Sequence, residues 1–222
     1  MKTMNIYCIP GMGVNERLFR NLKLEGCTIR HIKWLTPFTN ETLQQYAIRL
    51  SEQIDQSQPF CLIGVSFGGM CAIEISKKLN PAKTFLVSSS KTRSEIPSII
   101  KIWNSLPLYR SLSDKHYING AMLFKKQFGV NTKEQKERFL EMLQTAPKDY
   151  FKGAVHCIVS WKNKEYPENV IHIHGDKDEV LPHKKIKANY LIEGGSHFMI
   201  INRADEINAI INKELLSFLK SE

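Results

Sequence analysis

Two hydrophobic rhythms alternate along this chain. Residues 5–9, 28–34, 60–65, 83–87, 170–174 and 187–192 are short apolar runs of strand length. Strands buried on both faces read as continuous apolar runs rather than as alternation. Between them lie segments with helical spacing. Residues 15–22 place Leu18, Phe19 and Leu22 on one face. Residues 40 or 41 to 54 do the same with Leu43, Ala47, Leu50 and Ile54. Residues 67–79 and 204–219 are two further helices on this pattern. The order β-α-β-α-β-α-β with short connections predicts an α/β fold: about six strands, mostly or wholly parallel, with helices on both faces.

The alternation breaks at residues 91–166, where only helical pieces occur. One starts cleanly: Thr132 followed three residues later by Gln135 is a capping box, Phe139, Leu140, Met142 and Leu143 follow, and Pro147 ends it. Earlier, Ile96, Ile99, Ile100, Trp103, Leu106, Leu108, Tyr109 and Leu112 are interrupted by Pro97 and Pro107. The expected organisation is one domain, with a core of residues 1–90 and 167–222 and a helical insertion over 91–166 after the fourth strand.

Bulk properties narrow the class. A chain of 222 residues with 42% hydrophobic and 24% charged residues is ordinary for one globular domain. No apolar run has the length that spans a bilayer, and the first run is too short for a secretory leader, so a cytoplasmic protein without a membrane span is expected. The five cysteines show no C-x-x-C spacing, and Cys8, Cys61 and Cys157 sit in apolar runs. That pattern argues against a disulfide framework or a metal site, and no cofactor is expected. The net charge is +9, and residues 91–165 carry 14 Lys or Arg against 7 Asp or Glu. No helix-turn-helix, zinc or RNP signature accompanies this charge, so a solvated basic face is favoured over nucleic-acid binding. A sharper reading is that the basic segment meets an acidic partner.

The stretch FCLIGVSFGGMCAIEI carries the candidate chemistry. An apolar strand runs straight into an apolar helix, and Ser66 stands at the join. A sharp strand-to-helix turn forces its central residue into a strained conformation, and the residues two before and two after must be small. Gly64 and Gly68 stand there. Such a turn presents the Ser66 hydroxyl above the sheet edge, while the Phe67 amide starts a helix whose positive end faces the same point. The competing reading is a Gly-rich helix start with Ser66 as an N-cap.

A serine nucleophile needs a base, and the base needs an orienting carboxylate, both on loops after later strands. The run VIHIHG is followed by DKDEVLP, which offers Asp176 and Asp178. EGGSHFMI places His197 on a Gly-rich loop after the last strand. Of the seven histidines, His172 and His174 lie in a strand and read as core or hydrogen-bonded groups. A second oxyanion amide is expected from the turn after the first strand, IPGMG. Gly11 and Gly13 let the backbone approach a substrate, Met12 supplies the candidate amide, and Pro10 has none to give.

Together PGMG, GVSFG, HGDKDEVLP and GGSHF resemble the successive signatures of the α/β-hydrolase superfamily over nearly the whole chain. The resemblance selects Asp178, with Asp176 as the fallback. It implies that two strands usually preceding the first are absent and that residues 91–166 fall where members carry a cap. It departs from the common His-Gly at the oxyanion turn, which here is Pro10-Gly11. The implied activity is a carboxylesterase: Ser66 attacks an acyl carbonyl, His197 takes its proton, Asp178 orients His197, and Met12 and Phe67 hold the oxyanion. The expected substrate is a small-molecule ester, with Gly11 and Trp103 in contact with it. Trp103, Leu106, Leu108, Tyr109, Phe124 and Phe128 suit an acyl chain and suit core packing equally. The alternatives are a thioesterase or esterase acting on an acidic carrier protein, and a lyase or non-catalytic ligand-binding member of the fold.

Overall fold

In a computed structural model that describes residues 3–102, 105 and 107–219, the apolar runs form six strands. These are β1 Met4–Ile9, β2 Cys27–His31, β3 Phe60–Val65, β4 Lys83–Val87, β5 Val170–Gly175 and β6 Tyr190–Ile192. All pairings are parallel, in the order β2-β1-β3-β4-β5-β6. The chain therefore moves outward from β1 to one edge, returns to β3, and continues to the other edge. The strand order reverses between β1 and β3, and the loops leaving them diverge there to open a crevice at the carboxyl ends. All six residues of β3 are buried, which requires cover on both sheet faces.

That cover comes from helices. They are α1 Leu43–Ser51, α2 Phe67–Leu79, α3 Ser98–Ile102, α4 Asp114–Leu123, α5 Lys133–Gln144, α6 Tyr150–Ser160, α7 Met199–Asn202 and α8 Ala204–Leu219. α2 follows the expected bounds and buries every residue from Phe67 to Ser76. α1 begins two residues later than expected because Thr42 caps it. The Thr42 hydroxyl accepts from the Gln45 amide and the Gln45 side chain accepts from the Thr42 amide. This capping box in ETLQ repeats the one at Thr132 and Gln135, where α5 starts. α1 buries Leu43, Tyr46, Ala47 and Leu50, and α8 buries Ile207, Ile211 and Leu215.

Besides α1, which ends at Ser51 rather than Ile54, three expected elements are shorter in the structure, each beside side-chain hydrogen bonds to the backbone. The expected helix over 15–22 is only a 3-10 turn, Glu16–Phe19, although Leu18, Phe19 and Leu22 are buried together. Two asparagines of α8 hold the following chain extended. Asn208 accepts from the Lys23 amide at 3.0 Å and donates to the Asn21 carbonyl at 3.0 Å. Asn212 treats Glu25 and Lys23 the same way, both at 3.0 Å. β2 ends at His31 rather than Trp34, since Gln53 takes over both backbone groups of Lys33. β6 begins at Tyr190, not 187, because the Asn189 side chain and amide bracket His172 at 2.8 Å each.

Between β4 and β5 the described residues form α3 to α6 and short 3-10 turns. This segment reaches the carboxyl edge of the sheet. A Cβ on Gly13, in the turn after β1, would lie 2.3 Å from the Phe151 ring and 3.3 Å from Leu143. Tyr150, fully buried, packs against Trp34 with ring centroids 5.5 Å apart. Among the described residues no helix is long and apolar enough to cross a membrane.

Glycine substitutions test this packing. A Cβ on Gly68 would lie 2.2 Å from the backbone oxygens of Ile9 and Pro10, so Gly68→Ala forces the backbone of β1 and α2 apart. A loss of about 1–3 kcal/mol is expected from urea unfolding. A Cβ on Gly120, within α4, would meet nothing within 4 Å. Gly120→Ala is expected to raise stability by about 1 kcal/mol in the same assay.

Candidate active site

Ser66 sits between β3 and α2 with φ 52° and ψ −119°, a conformation sparsely populated by residues with a side chain. Neighbouring backbone holds it there. The Ser66 amide donates to the Val87 carbonyl at 3.0 Å, and the Ser66 carbonyl accepts from the Gly69 amide at 2.9 Å and the Ser89 hydroxyl at 2.6 Å. Gly64 is needed because a Cβ there would lie 2.5 Å from the Gly68 carbonyl oxygen and the Gly69 Cα. Gly69 is needed for a reason that spacing along the chain does not reveal: Ser89 fills the place of its Cβ, at 2.3 Å.

Gly68 brings the start of α2 against the end of β1, where the IPGMG turn begins. Gly11 lies beside the serine, with 3.7 Å from its Cβ position to Ser66 Cβ. Phe67 is the first residue of α2, whose leading amides have no partner within the helix. Trp34 braces the turn from beneath. Its indole Nε1–H donates to the carbonyls of Gly11 at 3.2 Å and Val14 at 2.9 Å, and its ring stacks on Phe67 at 5.4 Å. In the sequence Trp34 reads only as a strand end. A lone tryptophan after an apolar run carries no signal of this role.

The candidate base, His197, and the candidate carboxylate, Asp178, lie on the loops after β6 and β5. His197 Nε2 is 2.9 Å from Ser66 Oγ, and His197 Nδ1 is 2.8 Å from Asp178 Oδ2. Asp178 Oδ1 accepts from the amides of Val180 at 2.9 Å and Leu181 at 2.8 Å. Asp178 is 3% exposed. Burial pushes its carboxyl up, but the adjacent His197, their shared hydrogen bond and the Leu181 amide outweigh burial, and its pKa lies below the usual carboxylate value. Asp176 plays a different part. Its carboxylate accepts from the Gly194 amide at 2.6 Å and shapes the loop that carries His197. The two loops touch because Gly175 and Gly195 lack side chains. A Cβ on Gly175 would lie 2.1 Å from the Gly195 carbonyl oxygen.

The structure thus brings Ser66, His197 and Asp178 into one hydrogen-bonded line, with Gly11 beside Ser66. Trp103 and Leu106 lie outside the described residues. Of the other apolar candidates, Leu108 and Phe124 are 73% and 53% exposed, while Tyr109 is buried. Phe128 meets His197 edge-on, with ring centroids 5.7 Å apart, and also packs on Phe139 and Phe198. A cavity of about 190 Å³ beyond Phe198 is lined by Arg17, Arg20, Arg138, Phe139 and Met142 rather than by Ser66. Among the described residues no group of three His, Cys, Asp or Glu side chains is placed to hold a metal ion.

No protein-family model matches the sequence, and no curated protein matches it. Solved structures do. A thermophilic esterase from Thermogutta terrifontis is 14% identical, with a TM-score of 0.73 over 98% of this chain and 91% of that one. A bromoperoxidase from Bacillus anthracis is 19% identical, with a TM-score of 0.68 over 98% and 92%. ClbQ from the colibactin NRPS/PKS pathway is 15% identical, with a TM-score of 0.64 over 99% of this chain and 100% of that one. With a wholly parallel six-stranded sheet and this strand order, the chain has the α/β-hydrolase fold.

Proposed function

We propose that this protein is a serine hydrolase that cleaves carboxylic esters through an acyl-enzyme, with Ser66, His197 and Asp178 as its catalytic residues. The observation that carries the reading is the line of hydrogen bonds from Ser66 Oγ through His197 to the buried Asp178, at 2.9 and 2.8 Å. Asp178 accepts the Nδ1–H of His197 and leaves Nε2 bare to take the serine proton. Ser66 Oγ then bonds to the acyl carbon, and the negative charge moves to the carbonyl oxygen. The amides of Met12 and Phe67 receive that oxygen, with the positive end of α2 behind Phe67. His197 returns the proton to the departing alcohol. Water, deprotonated by His197, attacks the acyl carbon and releases the acid and Ser66. Gly11 lines the approach to Ser66, and residues 91–166 serve as a cap over a core of 1–90 and 167–222. The chemistry balances without an added cofactor.

A second reading keeps the mechanism and changes the substrate: an acyl group, as ester or thioester, on an acidic carrier protein. The face of the helical segment supports it. Leu123 and Phe124 are 75% and 53% exposed and are followed by Lys125 and Lys126, and exposed Leu108 precedes Arg110 by two residues. Likeness to ClbQ, a protein of an NRPS/PKS pathway, points the same way. Positive surface steers acidic partners in a salt-dependent manner.

Ser66→Ala, assayed on p-nitrophenyl esters of rising chain length, loses about 10⁴-fold or more in kcat with unchanged circular dichroism. A fluorophosphonate labels Ser66 in the folded wild type, and no label would favour a ligand-binding protein. Asp178→Asn loses about 10⁴-fold in kcat. Because the folded-state pKa of Asp178 is depressed, its contribution to stability is present above the unfolded carboxyl value, about 3.9, and is lost as pH falls through the folded value. The urea midpoint of wild type should therefore exceed that of Asp178→Asn at pH 7, and the gap should shrink as pH falls below about 3.9. For the carrier reading, kcat/KM on carrier-bound thioester should fall steeply with salt while that on free ester stays flat. An equal salt response for both sinks it.

A further inference from the structure

Behind Asp178, on the side away from Ser66, lie two histidines of β5 that the proposed reaction does not use. His172 and His174 are both 0% exposed. His174 Nε2 is 2.8 Å from the Leu181 carbonyl oxygen and 3.5 Å from Asp178 Oδ2, and its Nδ1 is 3.3 Å from His172 Nε2. A carbonyl only accepts, so His174 Nε2 carries the hydrogen. Burial lowers the pKa of both rings, against the pull of Asp178 on His174 and with the help of His174 and Lys91 on His172, which keeps them neutral. A neutral ring with its hydrogen on Nε2 has a bare Nδ1, and that Nδ1 faces His172 Nε2 at 3.3 Å. His172 has its own hydrogen bond to the Ser89 backbone, and the tautomer of His174 follows from one carbonyl.

That carbonyl belongs to the residue whose amide holds the acid. Asp178 Oδ1 accepts from Val180 and Leu181, so residues 178–181 form a turn closed on its own carboxylate. The Leu181 amide grips Asp178 while the Leu181 carbonyl is gripped by His174. Leu181 is itself 2% exposed, so no water competes for either group from outside. We propose that His174 is a positioning residue for Asp178: its Nε2–H fastens the 178–181 turn to β5 and so keeps Asp178 Oδ2 on His197. The kinetic part of this inference rests on the proposed hydrolase reading; the positional part does not.

Two substitutions of matched polarity separate positioning from bulk packing. The amide nitrogen of His174→Gln falls near the place of Nε2 and can reach the Leu181 carbonyl. That of His174→Asn falls near the place of Nδ1 and cannot. In His174→Asn, kcat on a p-nitrophenyl ester should fall about 10- to 100-fold with little change in KM, the range typical when a side chain orienting an active-site ligand is lost. His174→Gln should stay near wild type. The low-field proton resonance of the His197 Nδ1–H, bonded to Asp178, should persist in wild type and His174→Gln and vanish in His174→Asn. Wild-type kcat and resonance in His174→Asn, or equal damage in both variants, would overturn the proposal. Should His174→Asn not fold, nitrogen-15 spectra of wild type decide: a neutral His174 with hydrogen on Nε2 at about pH 7 supports it, and a charged ring or hydrogen on Nδ1 refutes it. If wild type hydrolyses no ester, the hydrolase reading fails, and the His197 resonance in the two variants still decides the positioning role.

Discussion

The contact on which the site depends is backbone against backbone, where the first turn of α2 presses on the ends of β3 and β1. Gly64 lets α2 come within 2.5 Å of where a Cβ would be, and Gly68 lets β1 come within 2.2 Å. Side chains at either place would push the helix off the sheet. The helix would then start later, Ser66 would relax from its left-sided φ, and the Phe67 amide would turn from the crevice. The same glycines that permit close packing thus place a hydroxyl and a helix start at the point where the strand order reverses. Apolar burial on both sides of β3 holds the helix down, and the strained serine conformation is maintained by the hydrogen bonds that its own amide and carbonyl make.

A second constraint follows from burying a carboxylate. Asp178 at 3% exposure would lose several kcal/mol of hydration without compensation. Its two oxygens instead meet two amides and an imidazole, and a further imidazole stands at 3.5 Å. The depressed pKa shows which effect wins: hydrogen bonds and the neighbouring ring exceed the desolvation of the charge. Such a charge is fixed in direction as well as in state. It can orient His197 only if its own turn does not move, which is why bonds to the backbone of residues 178–181 matter as much as the bond to His197.

Much of this is legible in the chain, and the reasons differ by element. The bounds of β3, α2, β4 and α8 follow from apolar periodicity, since β3, α2 and β4 are largely buried, α8 buries one regular face, and tertiary packing agrees with local pattern. Residues 15–22 mislead because the correct apolar face comes with a different backbone. Leu18, Phe19 and Leu22 are buried, but Asn208 and Asn212, almost 190 positions away, hold the chain extended after the 3-10 turn. No window around residue 20 contains that information. Ser66, Asp178 and His197 stand out because a strand-to-helix turn and two loops after strands constrain residue type at fixed spacing. Trp34, Ser89 and the Gly175–Gly195 contact do not, because each acts across the sheet on a neighbour that spacing does not name.

The candidate triad and the apolar side chains packed beside it come from different parts of the chain. Ser66, Asp178 and His197 belong to loops leaving β3, β5 and β6, and those loops are anchored to a sheet with no exposed position in β3. The segment between β4 and β5 contributes apolar shape: Phe128 against His197, and Phe151 and Leu143 against Gly13. The segment has an excess of positive charge and exposes Leu108, Leu123 and Phe124. A rigid sheet suits groups that must meet within a few tenths of an ångström. On the proposed hydrolase reading, changes in substrate are to be sought in residues 91–166, and changes in rate at the carboxyl ends of the strands.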